Sequence, residues 1–280
     1  MTVEGAGDWL DGKKAAVVFN IAFEAWEDDA TSKIGPMGNP LSGDAFDGQA
    51  ASWGDYGVRR GIWRLLDVFS RHGVKATVMT SGVIAERAPE TVRALGAAGH
   101  DVCGHGYAQN ILNPFLSVDR ERDLMHRSRD LLGDILGLQP RGWISPRCTP
   151  SRATFGLLGD AGFEWHSDCF DADLPHWEEG HRVLAIPFDM TINDLPFHVR
   201  FGNPPFAYVE LFERTLDAVI REGGGLVDVT AHTHVFGRAP GAAAIDEILA
   251  LARGRDDIRV MTRSEIYDIW TTKGTNDEGR

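Results

Sequence analysis

Short apolar stretches recur along the chain and alternate with stretches whose apolar residues follow a period near 3.6. The short stretches are rich in β-branched residues and predict strands, whereas the longer periodic stretches predict amphipathic helices. The predicted strands are AAVVFNIAF (15–23), KATVMTS (75–81), HDVCGH (100–105), RGWISP (141–146), FEWHSD (163–168), VLAIPF (183–188), GLVDVTAH (225–232) and IRVMT (258–262).

Four of the intervening stretches predict helices with clear patterns or ends. They are GIWRLLDVFSRHG (61–73), PETVRALGAAG (89–99), ERDLMHRSRDLLGDILG (121–137) and FAYVELFERTLDAVIREGG (206–224). Alternating strands and helices favour parallel pairing through right-handed crossovers. An α/β fold of seven or eight mostly parallel strands is therefore expected, closed or nearly closed into a (β/α) barrel.

One long region, 27–54, has no periodicity and is rich in Gly, Asp and Ser. A connection of this length inside a compact domain is typically a functional loop, so we interpret it as an active-site loop. No internal repeat or low-complexity segment is visible. The chain is interpreted as a single catalytic domain, 1–280, with a core of about 15–270 and a flexible tail at 271–280.

Composition and charge narrow the function. The formal net charge is −13, which argues against nucleic acid as a partner because phosphate contacts need a basic face. There is no run of 18 apolar residues and no signal-peptide pattern at the start, so neither a membrane span nor export is expected. Three cysteines are too few and odd in number for a disulfide framework, which favours the cytoplasm.

Polar side chains follow the predicted strands at their carboxyl ends. In chain order they are Glu24, His105, Arg147, Asp168, His232 and His234. Taken singly, each has an ordinary structural explanation, such as a loop cap, a surface ion pair or a turn. A parallel barrel, however, builds its active site at the carboxyl ends of its strands. Their joint occurrence at that end predicts a site for a small-molecule substrate.

Five stretches together resemble the polysaccharide-deacetylase (NodB-homology) superfamily. They are YGVRRGIWRLLDVF (56–69), AGHDVCGHGYAQN (98–110), PRGWISPR (140–147), GFEWHSDCFDADLPHW (162–177) and VTAHTHVFGRAP (229–240). Within the superfamily they are similar to the branch that holds metal-independent allantoinases and cyclic-imide or amide hydrolases. The resemblance implies a distorted (β/α) barrel, commonly oligomeric, that hydrolyses C–N amide bonds. A homo-oligomer, dimer or tetramer, is the corresponding expectation.

The chain departs from the metal-dependent members at the ligand positions. Those members carry paired carboxylates after the first strand and a second His four residues after the first. Here FEAW (23–26) keeps Glu24 and replaces the ligand by Ala25, or, in a second alignment, FNIA (19–22) loses both acids. Gln109 replaces the second His in either case. The resemblance therefore implies a site without a metal, with zinc as the alternative.

Without a metal, side chains must activate water, stabilise the oxyanion and protonate the leaving nitrogen. We assign Glu24 as general base, with a pKa raised by its apolar strand, and His232 (or His234) as general acid. Arg147 would stabilise the oxyanion. The remaining candidate substrate-binding residues are His105, Gln109, Asp168, Asp173, His234 and Trp26. Asp168 and the DADLP loop (171–175) are expected to hold the arginine, and Trp26 either stacks on a planar ring or belongs to the core.

The favoured function is ring opening of a cyclic amide, ureide or imide, as in an allantoinase. Two alternatives stay open at this point. The first is a metal-dependent N-deacetylase of an acetylated sugar or peptidoglycan. The second is a non-catalytic relative that binds a small molecule.

Overall fold

The computed structural model describes residues 9–28, 30–32, 35–37, 41 and 45–273. The described strands are β1 (Ala15–Phe23), β2 (Thr77–Thr80), β3 (Asp101–Gly104), β4 (Gly142–Trp143), β5 (Trp165–His166), β6 (His176–Trp177), β7 (Leu184–Ala185), β8 (Gly225–His232) and β9 (Ile258–Val260). The helices are α1 (Gly48–Tyr56), α2 (Ile62–His72), α3 (Gly82–Arg87), α4 (Pro89–Ala97), α5 (Val118–Leu136), α6 (Thr154–Asp160), α7 (Ala207–Arg221), α8 (Ala239–Arg253) and α9 (Arg263–Lys273).

The strands form one curled sheet in the order β6-β7-β5-β4-β3-β2-β1-β8, with β9 beside the first residues of β1. All pairings are parallel except the one between β6 and β7. Past β7, a parallel bridge between Asn193 and Thr230 brings the chain against β8. The distorted (β/α) barrel predicted from the sequence is thus confirmed.

The ends of the elements follow from local chemistry. All nine residues of β1 are buried, as expected for a central parallel strand covered on both faces. Helix α2 ends at Gly73, whose φ of +63° suits glycine. Ser117 caps α5 by accepting a hydrogen bond from the Arg120 amide. Both the outer helical layer and the barrel interior bury apolar side chains.

The eight predicted strands are all present, and β1 and β8 have the predicted bounds. The structure adds one strand that was not predicted, β6. It has two partly exposed residues and no apolar run that would predict a strand. The loop predicted at 27–54 is shorter than expected, because α1 begins at Gly48 behind an Asp47 cap. Helix α9 continues to Lys273, so 271–273 are helical, and 274–280 lie outside the described residues.

No helix in the described part of the chain combines the length and apolarity that a membrane span requires.

Candidate active site

Glu24 lies at the centre of a group of imidazoles at the carboxyl ends of β1, β3 and β8. Its Oε1 is 3.2 Å from His105 Nε2 and 3.8 Å from His232 Nε2, and its Oε2 is 3.9 Å from His234 Nε2. Parallel pairing of β1 with β8 places Ala22 opposite His232, so Glu24 follows at the same edge. Of the two alignments open from the sequence, this geometry favours the one that keeps Glu24. Asn20 instead lies inside the barrel, bonded to Asp228 and Arg263.

The pKa of Glu24 moves opposite to the sequence expectation. Burial by itself raises the pKa, but His232, His105 and His234 together lower it to about 2. The expectation of a raised pKa considered only the apolar strand and missed these neighbours. Glu24 is therefore ionised at neutral pH. Because His105 occupies Oε1, Oε2 is the oxygen without a hydrogen-bond donor among the described residues.

His232 is held by a carboxylate that the sequence analysis missed. Asp194 Oδ1 lies 2.6 Å from His232 Nδ1, while Oδ2 accepts hydrogen bonds from the backbone amides of His232 and Phe236. Burial lowers the pKa of His232, but Asp194 and Glu24 outweigh it and raise the pKa to about 9. At neutral pH, His232 is an imidazolium whose Nε2 faces Glu24.

His105 and Gln109 form one hydrogen-bonded unit. His105 Nδ1 lies 2.9 Å from the Ile144 carbonyl oxygen, and its Nε2 lies 3.2 Å from Glu24 Oε1. The Gln109 amide donates to Ser81 Oγ and to the His105 carbonyl oxygen. Both Gln109 donors therefore hold the segment after β3 and do not support a role in substrate binding, which stays a prediction for this residue.

Arg147 lies on a turn with unusual backbone angles. Arg147 and Cys148 have φ values of +59° and +50°, a region that costs non-glycine residues free energy. Buried Glu121 supports this turn from below. It accepts hydrogen bonds from Asn113, Ser151 and Thr154, and Asn113 also donates to Ser145, just before the turn. The Arg147 side chain is exposed and lines the cleft above Glu24.

Two predicted residues do not have the partners expected of them. Asp168 is buried, and its Oδ1 accepts from the Ser145 amide, with no ion pair to Arg147 among the described residues. Burial raises the pKa of Asp168. Asp173 is exposed, and its carbonyl lies beside Gly225, at the opposite end of β8 from His232. The loop 171–175 thus passes the first residue of β8, at the amino end of that strand. Asp173 therefore does not line the cleft, and this position gives no support to its predicted role in substrate binding.

His234 and Trp26 lie behind Glu24, against helix α1. The rings of Trp53 and Trp26 pack edge-on against His234, with centroids 4.4 and 5.6 Å away. Burial lowers the pKa of His234 to about 3, so it is neutral, and neither ring nitrogen has a hydrogen-bond partner in the described structure. Trp26 packs against Gly54 and does not line the cleft, which favours the structural interpretation over ring stacking.

The turn that carries His232 and His234 packs closely against two glycines, Gly61 and Gly237. A Cβ on Gly61 would lie 1.8 Å from the Thr233 carbonyl oxygen, and one on Gly237 would lie 2.0 Å from it. Gly61 has ordinary helical angles, so the requirement is for space and not for backbone freedom. The π-helical turn Gly57–Gly61 between α1 and α2 thus sets the position of both histidines.

Replacing Gly61 by Ala is expected to destabilise the fold by roughly 3 kcal/mol, because the added methyl group meets rigid backbone. Chemical denaturation measures this. Gly156→Ala is the matched control, since its new Cβ lies 3.7 Å from its nearest neighbour and alanine favours the α6 helix. Equal stability of both variants would contradict the packing argument.

A cleft of about 230 Å³ opens over these side chains. The lining residues are Glu24, Met79, His105, Arg147, Cys148, Phe188, Met190, Asn193, Leu195, Pro196, Arg200, Thr230 and His232. This set combines an ionised carboxylate, a charged imidazole and guanidinium groups with apolar walls. Such a combination can deprotonate water, stabilise an oxyanion and donate a proton within one small volume.

Comparison with known proteins gives the family. The polysaccharide deacetylase family profile matches residues 50–166. The peptidoglycan deacetylase of Helicobacter pylori is 33% identical to this chain over 244 residues, which cover 74% of this chain and 83% of that protein. This chain belongs to the polysaccharide deacetylase family. Members of this family hydrolyse C–N bonds other than peptide bonds, and this chain is a hydrolase of that class.

Two crystal structures of family relatives superpose on nearly the whole chain. A probable polysaccharide deacetylase from Pseudomonas aeruginosa PAO1 has a TM-score of 0.87 and 26% identity, covering 95% of this chain and 93% of that one. PuuE allantoinase has a TM-score of 0.85 and 25% identity, covering 94% of this chain and 92% of that one. The same fold therefore occurs in a relative named as an allantoinase.

Deacetylases of this family usually depend on a metal. The described side chains around Glu24 do not offer a matching set of metal ligands. No three His, Cys, Asp or Glu side chains in the described ranges are arranged to hold an ion. At the position of the second ligand, Gln109 directs its amide hydrogens at Ser81 and the His105 carbonyl. His232 Nδ1 faces Asp194, and its Nε2 carries a proton at neutral pH. These residues do not fit the metal centre of a deacetylase.

Proposed function

We propose that this protein opens the ring of a small cyclic amide, ureide or imide by hydrolysis of its C–N bond, without a bound metal. The observation that carries this proposal is the placement of ionised Glu24 3.8 Å from the imidazolium of His232. A base and an acid of opposite charge side by side supply both proton transfers that amide hydrolysis needs.

The reaction begins with water beside Glu24. Oε2 accepts a proton from water as the water oxygen attacks the carbonyl carbon, and His105 keeps Oε1 engaged. The carbonyl oxygen becomes an oxyanion, and the Arg147 guanidinium at the rim of the cleft offers it charge and hydrogen-bond donors. Arg147 would thus supply the oxyanion stabilisation that a metal provides in other family members.

Ring opening requires a proton for the leaving nitrogen. His232 Nε2 donates that proton as the C–N bond breaks, leaving a neutral imidazole held by Asp194. The products are an amine or urea nitrogen and a carboxylic acid, which then ionises. Protonated Glu24 returns its proton to His232 across the short distance between them, so the next cycle starts from the same protonation states.

The size of the site favours a small substrate. Ligand pockets in proteins are commonly about 300–1,000 Å³, and this cleft, at about 230 Å³, is below that range. A five-membered or six-membered ring fits such a volume. A strained or electron-poor ring is also more reactive than a plain acetamide, which suits a site that relies on side chains alone.

A substrate screen tests this function. Purified protein, with and without chelator, is assayed on five-membered and six-membered cyclic amides, ureides and imides. We expect turnover of at least one ring class, unchanged by chelation. Turnover that is lost on chelation and restored by zinc would overturn the metal-independent mechanism.

One observation favours a second candidate function, removal of acetyl groups from peptidoglycan. The Helicobacter pylori relative at 33% identity is named for that activity. Acetylated glycan fragments are therefore included in the screen, and acetate release from them with no ring hydrolysis would select this candidate. Tight binding of a ring compound without any turnover would select the non-catalytic alternative.

A further inference from the structure

The cleft contains two guanidinium groups, one of which plays no part in the mechanism above. Arg200 ends the short helical segment Leu195–Arg200, and Arg147 lies on the turn after β4. Both side chains are exposed and both line the cleft. Within the described parts of the chain, neither guanidinium has a carboxylate or carbonyl acceptor.

The charge of the cleft contrasts with that of the whole protein. The chain has a formal net charge of −13, yet among the described residues that line the cleft Glu24 is the one carboxylate. Asp194 lies beneath His232 and balances its imidazolium. The two guanidinium groups therefore exceed the remaining negative charge of Glu24, and a positive cleft in an acidic protein attracts anions.

The position of Arg200 is fixed by the same segment that builds the acid. Asp194, which holds His232, immediately precedes the Leu195–Arg200 helix, and the Asn193 bridge to Thr230 ties this segment to β8. The backbone at Gly202, near Arg200, is held by hydrogen bonding to His198. Arg200 thus lies on an anchored segment, which keeps its positive charge at the cleft.

From this arrangement we infer that the substrate is a cyclic amide or ureide that carries a carboxylate, with Arg200 as the group that binds that carboxylate. This inference deepens the proposed function and rests on it for the ring. An arginine offers two parallel N–H donors that match a carboxylate. Arg147 remains near the oxyanion, so the two arginines divide the anchoring and the reacting ends of the substrate between them.

A matched pair of ligands separates charge from shape. Hydantoin-5-acetate carries a carboxylate, and hydantoin-5-acetamide has the same outline without the charge. Calorimetric titration of both into the Glu24→Gln variant measures binding where turnover is removed. We expect hydantoin-5-acetate to bind about tenfold tighter than the amide, because one charge-assisted hydrogen-bonded pair contributes a gain in affinity of about that size. That preference should shrink as salt is raised.

Substitution assigns the preference to a residue. In a Glu24→Gln background, Arg200→Gln is expected to lower the ratio of the two dissociation constants about tenfold. Arg93→Gln is the matched control, since Arg93 is an exposed arginine on α4 outside the cleft, and it should leave the ratio unchanged. Equal affinities for the two ligands, a ratio insensitive to Arg200→Gln, or no binding of either ligand at millimolar concentration would overturn the inference.

The two proposals fail in different ways. If unmodified protein hydrolyses neutral and anionic rings equally well, the ring-opening function stands and the carboxylate site does not. If it hydrolyses neither compound but binds the carboxylate in preference through Arg200, the anion site stands and ring opening does not.

Discussion

Glu24→Gln is expected to reduce kcat about a thousandfold, the midpoint of the range that general base catalysis contributes. The amide of Gln cannot accept a proton from water, and Oε2 is the oxygen of this side chain left without a donor. The substitution changes the volume little, so the fold should be retained. Turnover is measured on the ring compound that the substrate screen identifies, together with a thermal unfolding curve.

Glu27→Gln is the matched control for this variant. Glu27 lies three residues further along the same segment, is exposed, and accepts a hydrogen bond from Asn110 at the surface. Its activity should equal that of the unmodified protein. If Glu24→Gln also retains activity to within a few-fold, while folded, Glu24 is not the base.

Much of this site was predictable because strand ends in a parallel barrel converge. β1 and β8 are long, apolar and central, so their bounds follow directly from the sequence, and Glu24 and His232 follow from those bounds. Their roles as base and acid stay predictions. The predicted cytoplasmic location and homo-oligomeric state also stay predictions.

Asp194 escaped the sequence analysis because it lies on no regular strand. It follows β7 by several irregular residues, and only the bridge of Asn193 to Thr230 brings it beside His232. A pattern read in periods of two or 3.6 residues gives no signal for such a position. An Asp followed by Leu-Pro, just past a predicted strand, was the available clue.

The differences between expectation and structure at Glu24, Gln109 and Asp173 share one cause. Local sequence describes the neighbours along the chain, whereas charge and hydrogen bonding depend on neighbours in space. The imidazoles that lower the pKa of Glu24 come from β3 and β8, and Ser81, which receives the Gln109 amide, follows β2. The Asp173 carbonyl lies beside Gly225, the first residue of β8, a contact between segments that are distant in sequence.

His232 owes its charge to Asp194, and Asp194→Asn should remove that charge. The two backbone amides of His232 and Phe236 only donate, so they orient the Asn oxygen toward themselves and its NH₂ group toward His232 Nδ1. Nδ1 must then accept, which leaves a neutral imidazole instead of an imidazolium. Nε2 keeps its hydrogen, but a neutral imidazole is a much weaker proton donor than an imidazolium. We expect a loss of about a hundredfold to ten-thousandfold here.

The pH profile distinguishes this mechanism from general damage. In the unmodified protein kcat/KM should stay level through neutral pH, because Glu24 is ionised above about pH 2 and His232 is protonated below about pH 9. Activity should therefore fall as the pH rises through about 9, where His232 loses its proton. Asp194→Asn lowers the pKa of His232, so this alkaline fall should move to lower pH. Asp189→Asn, an exposed carboxylate on the same segment, should leave both the rate and the profile unchanged. An alkaline fall that stays near pH 9 in Asp194→Asn would show that another group supplies the proton to the leaving nitrogen.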